Sequence, residues 1–314
     1  MTEDLFATMS QTMVHNGAAP YPLGTVVVIG LCVFIQLWVF LFNPPLNQFT
    51  LSALLVVYSH QYWRIVTSAY FHGGLMHILF NMTSVASLGG SLERCMGSIF
   101  FVYTVLWQTI LCGTFNVAAS WFLSMVVFDD LSYLKQQSVG FSGVIFALAV
   151  VDIHRSDLPT RSLFGFFEVP AKLYPWALLV ALQILIPNVS FLGHLSGILM
   201  GTLQAYGGLN FLFPSYDFIR RLETSLPCPA AIERAICGSH RFVPARDDAW
   251  TPRQNLTDLY HDAAALTLRF VAWGSGLLRQ AATSTSFRSS SPYDNMPWGG
   301  GGTSSSSSSS SFVL

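Results

Sequence analysis

Ser142 stands in the run Val-Gly-Phe-Ser-Gly-Val-Ile-Phe-Ala-Leu, framed by Gly140 and Gly143 at the mouth of an apolar segment. A second apolar segment opens with Phe-Leu-Gly-His-Leu-Ser-Gly-Ile-Leu-Met-Gly, in which the histidine is His194. A hydroxyl is a weak nucleophile until a base takes its proton, and imidazole suits that task because it titrates near neutrality. Ionisable groups inside a bilayer are expensive, so they mark function by default. Ser142 as nucleophile and His194 as base therefore point to serine chemistry within a membrane. His77 and Asn81 are spaced i, i+4 in a third apolar segment and share one helix face. Both can donate hydrogen bonds. With the backbone N–H of Ser142 at a helix start, they are candidates for an oxyanion hole.

Other readings of each piece stay open at this level. A Ser-Gly pair in a membrane helix serves packing, and a lone intramembrane histidine serves a proton relay or a transporter. His77 and Asn81 could be mutually satisfied core polar residues. His72, Gly73 and Gly74 read as loop-shaping. Trp63-Arg64 reads as an aromatic anchor beside a snorkelling base. Metal binding is a poor rival: His72 and His77 lie five apart, no HExxH pattern occurs, and the five cysteines show no CxxC spacing. No cofactor or metal site is expected. Val144 breaks the Gly-x-Ser-x-Gly pattern of a soluble hydrolase elbow.

The elements that must position these residues follow from composition. The chain has 314 residues, 52% apolar and only 10% charged, against roughly 25% charged in soluble domains. This predicts a polytopic membrane protein. The net charge of −1 carries no basic stripe suited to nucleic acid. Six transmembrane helices are expected, over 24–42, 75–92, 98–123, 142–153, 172–186 and 191–209. The first is read as a retained span rather than a signal peptide, since 1–23 lacks a basic leader and a cleavage site. Between helices 1 and 2 lies a long, aromatic-rich interfacial loop.

Arg94, Arg155, Arg161, Lys172, Arg220 and Arg221 fall on one side, Arg64 and Lys135 on the other. The positive-inside rule then places both termini in the cytosol. Helices 2, 4 and 6 run inwards from the luminal face, so His77, Ser142 and His194 should share one depth. Gly193, Gly197 and Gly201 let helix 6 approach a neighbour closely, and Gly143 with Ala147 thin the facing side of helix 4. The expected organisation is a cytosolic N-terminus (1–23), a six-helix domain (24–208) and a cytosolic tail (209–314). The tail carries an amphipathic segment near 211–222 and a short helix over 262–282, and the Ser/Gly-rich end is disordered.

These motifs together resemble the rhomboid intramembrane serine proteases. Tyr62-Trp63-Arg64, His77-Ile-Leu-Phe-Asn81, Gly140-Phe-Ser142-Gly143 and Gly193-His194-Leu-Ser-Gly197 with Gly201 carry the resemblance. Leu92-Glu93-Arg94, Gly97-Ser98 and Ser190-Phe191 place it nearest the ER-resident six-helix group. The resemblance implies an all-α, six-helix fold, a Ser142–His194 dyad with no third acidic member, and an oxyanion hole of His77, Asn81 and Ser142. It also implies single-pass membrane proteins as substrates, reached past helix 5. Gly140, Gly143, Gly197, Gly201, Trp63, Arg64 and Phe146 would support the site. Phe146 stands where the family often has Tyr, and can still stack on His194. The tail lacks the acidic helix by which some ER members bind ubiquitin. A catalytically inactive quality-control or trafficking factor that binds transmembrane segments is the alternative.

Overall fold

A computed structural model describes residues 21–156, 158–186, 188–225, 242–245 and 257–265. Within them α1 covers Leu23–Phe42, α4 Leu75–Met96 and α5 Ser98–Val127. Between the first two lie α2 (Ala53–Tyr58) and α3 (Arg64–Tyr70). After α5 come α6 (Ser132–Lys135), α7 (Ser142–Arg155), α8 (Tyr174–Leu185), α9 (Phe191–Ala205) and α10 (Tyr216–Ser225). Among the described residues α1, α4 and α5 are long and apolar enough to cross a membrane. Six apolar helices thus stand where the sequence places them, and three have the full spanning length.

The all-α expectation needs correcting in two places. Leu51–Ser52 (β1) pairs antiparallel with Gln137–Ser138 (β2), and Thr160–Leu163 (β3) pairs with Phe167–Pro170 (β4). The expected interfacial first loop is itself partly helical. Its helices α2 and α3 pack on α5, where Leu51, Ala53, Val56, Val117 and Leu134 form a small core. A Cβ at Gly113 of α5 would lie 2.7 Å from the Ile65 carbonyl of α3, so glycine permits that approach. The second predicted helix runs on to Met96 rather than stopping near Leu92. A π-helical turn at Val85–Gly89 shifts its register, and Gly97 (φ +91°) ends it.

The start of α1 is held by Glu93, which is fully buried. Its carboxylate accepts from the Gly24 and Thr25 backbone N–H groups at 2.7 and 2.6 Å, and from the Thr25 hydroxyl at 2.8 Å. An anion at a helix N-terminus satisfies free donors and complements the dipole. Ser98 donates to the same carboxylate at 2.6 Å and accepts from the Val243 N–H at 2.9 Å. Packing therefore continues beyond 208: Tyr216 donates to the Ala245 carbonyl, and the Ala245 N–H donates to Glu223. The amphipathic segment expected near 211–222 is largely α10. The Ser/Gly-rich end, and most of 262–282, lie outside the described residues.

At the centre stands α7, with every residue from Val144 to Ile153 buried. Its closest neighbour is α9. A Cβ on Gly201 would lie 2.6 Å from the Ala147 carbonyl, and one on Gly197 would overlap the Gly143 carbonyl and Phe146. Backbone meets backbone along this seam, as small-residue spacing predicts.

Candidate active site

Ser142 is the first residue of α7, so its N–H and those of the next residues lack helical acceptors. Gly140 precedes it at φ +118°, a conformation that favours glycine, and its N–H donates to the Ser68 carbonyl at 2.9 Å. On α9, the Ser190 hydroxyl caps the helix by accepting the Gly193 N–H at 3.1 Å. That cap fixes the first turn, which carries His194.

Ser142 Oγ lies 2.9 Å from His194 Nε2. The His194 ring is 4% exposed and stacks on Phe146, with centroids 4.7 Å apart. Nδ1 of His194 is buried without a partner among the described residues. The pair is therefore a two-member arrangement, its ring oriented by packing rather than by a carboxylate. Such a pair can pass the Ser142 proton to Nε2 as the hydroxyl attacks.

His77 and Asn81 occupy the first turns of α4 beside this pair. The Gly73 N–H donates to His77 Nδ1 at 3.3 Å, which leaves the ring proton on Nε2 in the neutral form. The Nε2 edge lies against Gly140: a Cβ there would sit 2.6 Å from it. Glycine at 140 thus admits the His77 ring to the backbone that leads into Ser142. Asn81 Nδ2 donates to the His77 carbonyl at 2.8 Å within its own helix, and keeps one further N–H.

The supporting residues separate into two kinds. Arg64 is buried and donates to the Asn47 carbonyl at 2.9 Å, the Thr50 carbonyl at 2.7 Å and Gln61 Oε1 at 2.6 Å, knitting the 43–74 segment together. Trp63 is exposed. Gly143, Gly197, Gly201 and Phe146 line the α7–α9 seam described above.

Two features escaped the sequence reading. Thr104, Gln108, Cys112, Asn116 and Ser120 recur every four residues on α5 and are all buried. Gln108 donates to Gln204 of α9, and Asn116 reaches the position a Gly193 side chain would take. The signal was a polar stripe with i, i+4 spacing inside an apolar run. The second is His72, which is 1% exposed and meets the His77 ring edge-on at 5.1 Å. Burial, with His77 nearby, pushes its pKa down to about 4, so it is neutral at pH 7. It borders a cavity of about 500 Å³ shared with Gln36, Asn43 and Gly74. Among the described residues no cluster of His, Cys, Asp or Glu could hold a metal ion.

The rhomboid domain model matches residues 59–211, which contain Ser142, His194, His77 and Asn81. The chain is 39% identical over 175 residues to Rhomboid-like protein 15 of Arabidopsis thaliana, covering 54% of this chain and 42% of that one. It is 32% identical over 197 residues to human Rhomboid-related protein 4, covering 62% and 60%. It is 28% identical over 172 residues to Rhomboid-type serine protease 2 of Debaryomyces hansenii, covering 53% and 57%. The chain thus spans about half the length of the curated relatives it matches. Apolar helices of spanning length, the glycine seam that seats α9 on α7, and the domain match all lead to one assignment: this membrane protein belongs to the rhomboid family.

Proposed function

We propose that the chain is an intramembrane serine endopeptidase with six membrane crossings, formed by α1, α4, α5, α7, α8 and α9. The observation that carries this is the 2.9 Å contact between Ser142 Oγ and His194 Nε2 at the starts of two apolar helices. Ser142 Oγ attacks the scissile carbonyl while His194 Nε2 takes its proton. The oxyanion is met by the Ser142 N–H, His77 Nε2–H and the second Asn81 N–H. His194 then protonates the leaving amine, and water attacks the ester with the same imidazole as base. Substrates are single-pass membrane proteins cut near their luminal end, where a helix unwinds most easily. Both termini face the cytosol, and the membrane is that of the endoplasmic reticulum or a neighbouring secretory compartment.

A second reading, a non-catalytic factor that binds transmembrane segments, draws on Asn81. Its amide already donates one N–H to the His77 carbonyl of its own helix. Co-expression with a labile single-pass substrate tests the first reading. Ser142→Ala should fall to background, a loss on the order of 10⁴–10⁶-fold. Cleavage equal to the parent rejects it. Labelling by a fluorophosphonate that disappears in Ser142→Ala rejects the second.

A further inference from the structure

The connection between α7 and α8 folds into a hairpin with two unlike faces. Leu163 pairs with Phe167 and Arg161 with Val169, so these four share one face; Ser162 with Glu168 and Thr160 with Pro170 share the other. The turn is Phe164-Gly165-Phe166, with φ of 55° and 77° at its first two residues, closed by the Phe166 N–H on the Leu163 carbonyl. Leu163 is buried, yet Phe164, Phe166 and Phe167 are 45%, 76% and 67% exposed. Three bare phenylalanines at one tip form an apolar patch that needs a cover.

The tip is held firmly. Arg161 pairs with Asp152 of α7 at 2.6 Å, Ser91 donates to Asp152 at 3.2 Å, and the Ala171 N–H donates to the Pro159 carbonyl. The strands also pack on α8. That helix has 12 residues and buries only Pro175 and Leu179. At 1.5 Å per residue it is about 18 Å long, well short of a hydrocarbon layer of about 30 Å. The hairpin thus sits where the apolar belt of α8 runs out. Arg155, Arg161 and Lys172 stand at its root, placing basic groups at headgroup level.

We propose that the hairpin 160–170 is an amphipathic anchor lying in the leaflet where α7 ends and α8 begins, a placement that rests on α7 and α8 crossing the membrane. Phe164, Phe166 and Phe167 enter the acyl boundary, and the Ser162–Glu168 face looks to water. The anchor sets the depth of α8, the least enclosed of the short helices.

The test is carried out on the full chain in phosphatidylcholine vesicles, with Cys95, Cys228 and Cys237 replaced by Ser. Phe166→Cys, Glu168→Cys and Val180→Cys each carry an environment-sensitive nitrobenzoxadiazole label. The expected result is blue-shifted emission at 166 and 180, quenched by nitroxide-bearing lipids. The label at 168 should show water-like emission quenched by iodide. Iodide quenching at 166 with lipid quenching at 180 overturns the anchor alone. Water-like emission at 180 overturns the spanning reading and the anchor with it. A label at 166 shielded from both quenchers identifies a protein cover and overturns the lipid assignment.

Discussion

The helices fall into two sets. The long ones, α1, α4 and α5, have 20, 22 and 30 residues, and most of the α1 surface is open to its surroundings. The short ones, α7, α8 and α9, have 14, 12 and 15, about 18–23 Å at 1.5 Å per residue. Ser142 and His194 both ride on the short set. A helix in contact with lipid must match the bilayer. By contrast α7 is enclosed by protein along most of its length, and matching is left to its neighbours. On the proposed six-crossing reading its first residue, Ser142, then lies below the membrane surface. On that reading the comparison separates two duties: long helices such as α1 meet lipid, and the closely packed short pair α7 and α9 holds the Ser142–His194 contact.

The strongest way to break this division is to force the short pair apart. Gly197→Val places a side chain on the Gly143 carbonyl, and α9 must withdraw from α7. The expected cost is about 3 kcal/mol, read as a lower melting midpoint in detergent together with lost cleavage. A parent-like midpoint would mean that the seam yields freely. Next, Asn81→Ala should keep the midpoint and lower turnover by about 10²–10³-fold, if the amide swings to the oxyanion. Unchanged turnover assigns Asn81 to its hydrogen bond with His77. On the long set, Glu93→Ala leaves the Gly24 and Thr25 donors buried without an acceptor, which costs about 2–3 kcal/mol of stability. The melting midpoint should fall while turnover per folded molecule holds. The smallest effect belongs to Phe40→Ala on the open face of α1, within about 0.5 kcal/mol in detergent. A larger shift would show that this face is packed rather than open.

Much of this was legible in the sequence for identifiable reasons. The apolar run before Pro44-Pro45 marks α1 because the breaker acts locally. The sequence places the end of α4 near Leu92, whereas it lies at Met96, since the π-helical turn carries the helix further. The Gly193, Gly197 and Gly201 spacing announces a close contact because glycine has one use in such a helix. The α3–α5 contact at Gly113 was not legible, since a lone glycine names no partner. Nor was the amphipathic hairpin: Phe164-Gly165-Phe166 carries no Asn-Gly or Asp-Gly signal, and its strands are four residues each. The polar stripe on α5 was readable but unread, because each member alone is a tolerated small or amide residue. His72 is a loop residue, as its neighbours Gly73 and Gly74 suggest, but only the fold shows it buried against His77.

The Glu93–Ser98–Val243 series also has a consequence for the order in which the protein is made. The α1 donors wait 69 residues for the Glu93 carboxylate, and Ser98 waits 145 residues for Val243. During vectorial synthesis α1 therefore emerges with an unfinished end, while the segment that completes Ser98 is added long after α9. A nascent chain stalled before Val243 should carry all six apolar helices and still lack its final closure. Chain termination just upstream of that point would yield a product that inserts but melts early.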